Sequence, residues 1–166
     1  MINNVHFSQY IPPTDMHYVV GTWSQAAGQV TGTIAKHKTA NAETAVVTVP
    51  IAIPSNSVAL NGCKLASIEL DYELMAAGAT SVTAVLNKVV RGIEGEVAVV
   101  TQPAITQDLV AGVAAATQDQ HRLKVTLTTP VWIDNDEEYL CQFSFVCAGV
   151  VTVDILGAVA NFTFRA

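Results

Sequence analysis

Charge is the scarcest property of this 166-residue chain: Asp, Glu, Lys and Arg make up 13% of it, about half the usual share of a soluble domain. Apolar residues make up 51%, so the scarcity does not signal disorder, which combines low hydrophobicity with high charge. What charge there is leans acidic, with 14 carboxylates against 8 bases and a net charge of −6. Nucleic-acid binding rests on a basic stripe that displaces counterions from phosphates. The only basic concentration is Lys36-His37-Lys38, and residues 1–15 carry no Lys or Arg. No nucleic-acid partner is expected.

Long apolar runs are missing too. Thr44 to Cys63 is uncharged but interrupted by Pro50, Pro54, Asn56 and Asn61, and Tyr139 to Val153 is too short and carries Gln142 and Ser144. No membrane span is expected. Met1-Ile2-Asn3-Asn4-Val5-His6-Phe7 has neither a basic nor an apolar region of the secretory type. Cysteine is sparse, with three residues. Cys141 and Cys147 would lie about 20 Å apart in an extended strand, too far for a disulfide, and Cys63 is expected to stay reduced and buried with them.

Motifs for chemistry are absent. His6, His17, His37 and His121 stand singly, with no zinc spacing, and no GxSxG, P-loop or GxGxxG occurs. Gly92-Ile93-Glu94-Gly95 reads as a turn. The sharpest polar cluster, Asp134-Asn135-Asp136-Glu137-Glu138, offers oxygen ligands of the kind Ca²⁺ takes but lacks the other EF-hand positions. It is expected to be an acidic turn feeding the next strand. Glu69, Asp71 and Glu73 could imitate the carboxylate pair of a glycosidase, but are expected to form a solvated or partner-facing row. Trp23 and Trp132 fit core lids better than sugar platforms. Asn161-Phe162-Thr163 fits a glycosylation sequon, with nothing pointing to secretion. No catalytic residue, cofactor or metal is expected.

What is present is strand chemistry: 24 Val and 17 Thr, β-branched side chains that suit a pleated surface. Ile68-Glu69-Leu70-Asp71-Tyr72-Glu73-Leu74 alternates without a slip, placing Ile68, Leu70, Tyr72 and Leu74 on one face and three carboxylates on the other. Arg122 to Thr128 repeats the pattern with Leu123, Val125 and Leu127 inward. Further strands are expected over 16–23, 29–36, 43–53, 82–90, 139–147, 150–155 and 158–164. Turns are expected at Asn61-Gly62, Ala77-Gly78, Arg91-Gly92, Asp134-Asn135-Asp136 and Ala148-Gly149. Thr106 to Ala116 reads as a loop with room for one turn of helix. The opening through Pro12-Pro13 reads as an extended arm over residues 1–15, because proline has no ladder donor.

About nine strands without βαβ alternation predict one all-β domain over 1–166, an antiparallel β-sandwich of the jelly-roll type. The Cys-Trp-Cys spacing of an immunoglobulin domain is missing. The low charge implies that nominal surface is covered, since interface cores are depleted in charge. Tyr139 to Val153 is the candidate segment. It fits either a strand covered by another subunit or a central strand of one subunit's sandwich.

Trp132-Ile133-Asp134-Asn135-Asp136-Glu137-Glu138-Tyr139-Leu140, followed by Gly157-Ala158-Val159-Ala160-Asn161-Phe162-Thr163-Phe164, resembles the C-terminal half of small jelly-roll virion proteins of tailed phages, of the capsid-decoration and head-fibre type. Tyr10-Ile11-Pro12-Pro13-Thr14-Asp15 with Gly21-Thr22-Trp23 has the look of viral open reading frames. The resemblance implies a non-enzymatic virion protein, assembled in the host cytoplasm. Its partners would be copies of itself, in a homotrimer, and a capsid protein, and the N-terminal arm would reach onto a neighbour. No functional residue carries over. The alternative class is a carbohydrate- or receptor-binding module of a tail or fibre, which would favour an exposed Trp23 or Trp132. A cupin-like enzyme would need clustered histidines, which are not there.

Overall fold

The computed structural model describes residues 4–27, 34–52, 62–92, 97–110, 116–130, 132–134 and 136–165. These form twelve strands: β1 (Asn4–Ile11), β2 (His17–Val20), β3 (Trp23–Ala27), β4 (Ile34–Asn41), β5 (Thr44–Ile51), β6 (Cys63–Met75), β7 (Ser81–Val90), β8 (Val99–Thr101), β9 (Ile105–Val110), β10 (Asp119–Leu127), β11 (Glu137–Val146) and β12 (Val151–Arg165). A single 3-10 turn, Pro13–Asp15, is the one helical element among the described residues. The first sheet runs β3-β4-β12-β6-β10-β9, with β1 also beside β12, and the second runs β2-β5-β11-β7-β8.

The fold is an all-β sandwich, and its strand order is that of a jelly roll. From β4 to β7 the chain passes between sheets at every connection, and again from β10 to β12. The central quartets β4-β12-β6-β10 and β5-β11-β7-β8 follow from that alternation. Both expected inward sets are buried, Ile68, Leu70, Tyr72 and Leu74 on β6 and Leu123, Val125 and Leu127 on β10. They meet Val47 and Val49 of β5 and Cys141, Phe143 and Phe145 of β11 in one continuous core. Tyr72 and Phe145 cross edge to face between the sheets, 5.1 Å between centroids, a preferred aromatic geometry. All three cysteines are buried.

Several boundaries differ from the expectation, each for a local reason. The opening segment is extended, but residues 4–11 pair antiparallel with 158–165 of their own chain. Pro12 and Pro13 follow this strand instead of interrupting it, and they start the 3-10 turn, so they remove no ladder donor from it. The stretch 16–23 is not one strand. It changes sheet at Gly21, whose φ of 98° suits glycine, and an added Cβ there would lie 3.2 Å from the Trp23 indole nitrogen. The segments 150–155 and 158–164 are a single strand, β12, with a register shift between Ile155 and Gly157. Thr106 to Ala116 begins as strand β9, which pairs with β10; residues 111–115 lie outside the described residues. So do 28–33, Asn56, Asn61, Asn135 and 93–96, on which other expected strand and turn positions fall.

Gln107 of β9 also crosses to the other sheet. Its carboxamide accepts from Ala84 N at 3.1 Å and donates to Ala84 O at 3.0 Å, imitating a ladder partner for β7. Those bonds satisfy backbone groups on the side of β7 that β11 does not cover.

Candidate functional site

The two outer faces of the sandwich differ in chemistry. On the first sheet, period two turns Glu69, Asp71 and Glu73 outward from β6, and the register sets Lys124 opposite Glu69 and Arg122 opposite Asp71. Arg122 donates through Nε at 2.6 Å and Nη2 at 2.8 Å to the two oxygens of Asp71, the bidentate geometry natural to a guanidinium. Its Nη1 lies 3.8 Å from Glu69, and Lys124 Nζ lies 3.7 Å from the same carboxylate. Asp108 of β9 stands opposite Lys124 on its other side. A depression of about 290 Å³ lies over this row, lined by Asp71, Gln120, His121 and Arg122.

Farther along the same face, Asp154 of β12 has His37 of β4 on one side and Glu73 of β6 on the other. Asp154 is 2% exposed, and its Oδ1 accepts from His37 Nδ1 at 2.6 Å. Burial, together with the charges of Asp154 and Asp119, pushes the Glu73 carboxyl above its ordinary value. In the sequence His37 stands as a lone histidine and no motif marks Asp154. Their contact depends on a pairing 117 residues apart, which no local spacing signals. Among the described residues, no group of three His, Cys, Asp or Glu could hold a metal ion.

The other expected candidates have local partners. His121 is a buried core residue whose Nε2 meets Thr117 O at 2.7 Å and whose ring packs on Tyr72. His6 meets Thr163 Oγ1 at 3.3 Å, while His17 is exposed on β2. In the acidic turn, Glu137 pairs with Lys88 and Glu138 with Arg91 at 3.0 Å, so two of its carboxylates are engaged by cations. The Trp23 indole donates to Val20 O at 2.7 Å and its ring packs on Tyr18, 4.7 Å between centroids. Trp132 carries the Lys64 ammonium over its ring at 4.4 Å. Asn161 donates to Ser67 Oγ and Glu69 Oε1 and accepts from Ser8 Oγ at 2.6 Å. Burial raises the thiols of Cys63, Cys141 and Cys147 above their ordinary value, which leaves them poor nucleophiles.

The second sheet presents a neutral outer face. On β11 the inward positions Tyr139, Cys141, Phe143 and Phe145 are buried, while Leu140, Gln142, Ser144 and Val146 point outward. The register sets Pro50, Thr48 and Val46 of β5 on one side of that row and Asn87, Val85 and Thr83 of β7 on the other. The face continues to Val20 of β2 at one rim and Val100 of β8 at the other. Among its described residues the charged side chains are Glu138 and Arg91, paired at the rim at 3.0 Å, and His17 stands opposite Thr48. The uncharged segment that begins at Tyr139 is thus central in one subunit's own sheet, with one face in the core and one outside.

No protein-family model matches the chain, and no curated protein matches it. Among solved structures it is similar to an arabinose-bound MgGH51 α-L-arabinofuranosidase, at 9% identity and a TM-score of 0.40, over 92% of this chain and 24% of that one. The chain spans about a quarter of the length of that enzyme. At this level the likeness bears on neither fold nor activity.

Proposed function

We propose that the protein is a non-enzymatic structural component of a virus particle, a homotrimeric jelly roll that decorates or cements the capsid of a tailed phage. The observation that carries this reading is the neutral outer face of the second sheet, with Leu140, Val46, Val85 and Val146 among Thr, Ser, Asn and Gln. Surfaces that stay in water are normally charged, whereas the centre of a permanent interface is depleted in charge. The resemblance of the acidic turn and closing strand to small virion proteins supports the same reading. The histidines support a structural role, because His37 and His121 are tied to Asp154 and Thr117. A sugar-binding module is disfavoured, since Trp23 and Trp132 are both half-buried against side chains of their own chain.

The arm enters this reading in altered form. Residues 4–11 are a strand of the first sheet, so attachment to a neighbour is assigned to the sheet surface and not to a free arm. The test is solution mass by light scattering across a dilution series. The expected result is a stable species near three times 17.5 kDa. A protein that remains monomeric at every concentration overturns the proposal.

A further inference from the structure

We propose that the outer side of β1, with the cleft at its end, takes an extended basic segment of another protein as an added strand. Among the described residues β1 pairs with β12 alone, so its other side has no ladder partner. Sheet edges are ordinarily closed to other chains by shortness, by bulges, or by Lys or Pro. The strand β1 has none of these: it is eight residues long, it keeps unbroken register with β12 from Asn4 to Ile11, and it carries no Lys, Pro or carboxylate. The register also sets Val5, Phe7 and Ile11 on the face of Phe164, Phe162 and Ala158, which are buried. Ile11 is closed into the core, whereas Val5 and Phe7, facing the same way, are 49% and 47% exposed. Phe7 meets Phe164 edge to face, 5.9 Å between centroids. Apolar surface of the core therefore runs out uncovered to a free strand edge. An added strand would bond to that edge through its main chain and pack alternate side chains beside Val5 and Phe7.

Charge selects the occupant. At the Ile11 end lies a cleft of about 290 Å³, lined by Ile11 and Asp15 from β1 and the turn after it, and by Pro50, Ile51 and Glu138 from β5 and β11. The Asp15 carboxylate accepts from its neighbour Thr14 Oγ1 at 3.2 Å and has no cationic partner among the described residues. Arg91 engages one oxygen of Glu138. A second copy is a poor source of the missing cation. Among the described side chains every Lys and Arg already has a carboxylate, a carbonyl or a ring as partner, and copies of net charge −6 repel one another. A basic segment of a different protein is drawn in by the same charge, and its Lys or Arg completes Asp15. The fitting pattern is apolar residues at alternate positions with a cation at the end that reaches the cleft. This partner goes beyond the oligomeric reading and does not depend on it.

The test uses the full chain and two labelled peptides of equal length, Arg-Arg-Val-Thr-Val-Thr-Val-Arg-Arg, which offers its cations in either strand direction, and the same peptide with Glu for every Arg. Fluorescence anisotropy reads the affinity, and amide chemical shifts read the place. The basic peptide is expected to bind and to shift the amides of residues 4–11 and 50–52, and the acidic peptide is expected not to bind. Phe7→Ser is expected to raise the dissociation constant about tenfold. Asp15→Asn, at an exposed position that tolerates the change if Phe7→Ser misfolds, is expected to raise it about threefold, the size of an exposed ion pair. Val99→Ser, on the exposed strand β8, is expected to leave it unchanged, with circular dichroism as the folding check throughout. No binding of the basic peptide at millimolar concentration overturns the inference, as do shifts confined to residues outside β1 and the cleft. Equal binding of the acidic peptide, or an Asp15→Asn affinity equal to wild type, overturns the selection of a basic partner. A change in the mass of the protein alone bears on the oligomeric reading and not on this one.

Discussion

Replacing Lys38 by Met tests whether a buried cation holds the β4–β5 end of the sandwich together. Lys38 is 0% exposed, and its ammonium donates to the carbonyls of Thr39 at 3.0 Å, Asn41 at 2.9 Å and Val151 at 3.2 Å. Glu43 lies 3.9 Å away. Methionine keeps the stem and removes all three donors. Hydrogen bonds to a charged group are worth ~1.5–3 kcal/mol each, so their loss at the lower value amounts to ~4.5 kcal/mol. Two terms oppose it: the ammonium no longer has to be desolvated, and water can reach the Thr39 and Asn41 carbonyls, whose residues are exposed. Val151 is 1% exposed, and its carbonyl has no such recourse.

With ~1–2 kcal/mol returned by those terms, the net loss is about 3 kcal/mol, in line with the cost of breaking a buried pair from one side. For a chain of this size that lowers Tm by about 6–12 °C. Urea unfolding followed by tryptophan fluorescence measures it as a lower midpoint at unchanged slope. Lys36→Met is the internal control. Lys36 is half-buried and its ammonium lies 5.6 Å from the Tyr18 ring centroid, a contact worth ~1 kcal/mol or less. A Lys38→Met midpoint equal to or above wild type, or equal losses for the two variants, would refute the reasoning.

Glu73→Gln is expected to stabilise the protein at pH 7 by ~0.5 kcal/mol after screening. The folded-state carboxyl is raised, first by burial and then by Asp154 and Asp119. Its contribution is therefore full below the unfolded value and lost as pH rises through the folded one. Urea midpoints should differ at pH 7 and converge by about pH 4; an advantage that persists at low pH contradicts the assignment. Gly157→Ala is expected to cost ~1–2 kcal/mol, because φ is 154° and the new Cβ would lie 2.6 Å from the Tyr10 ring. Hydrogen exchange should quicken along residues 4–11. In a Tyr10→Ala background the cost should shrink, and strict additivity would dismiss the contact.

The inward half of the core was legible because alternation is a local signal: Ile68 to Leu74 and Leu123 to Leu127 alternate without a break, and the structure buries the apolar set of each. The jelly-roll type was legible from strand number and the lack of βαβ alternation, whereas the order of the strands was not. What alternation could not supply was the identity of partners across the sheet. Lys36-His37-Lys38 looks like one basic patch, yet period two sends His37 to the outer face beside Asp154 and both lysines to the other side. The buried Lys38 and Asp154 depend on the β4–β12 pairing, which joins residues more than 100 positions apart. The opening strand departs from the expectation for a related reason. Prolines argue against a ladder by their presence, but their position just after Ile11 leaves the ladder of 4–11 intact.

A composition of 13% charge is an average over two unlike surfaces. On the first sheet β6 and β10 fill alternate outward positions with Glu, Asp, Arg and Lys, while β1 is uncharged and exposes Val5, Phe7 and Tyr10; on the second, β5, β7 and β11 fill them chiefly with Val, Thr, Ser, Asn, Gln and Leu. Strand propensity alone explains part of the neutral set, because Thr44, Thr48 and Thr83 are β-branched and suit a pleated surface. It does not explain Leu140 at the centre of the outer face, where a charged residue would serve strand stability as well. Propensity requires β-branched residues somewhere on a strand; the scarcity of charge at the centre of one sheet's outer face calls for a second cause. The proposed contact between copies would supply that cause at the centre of the face.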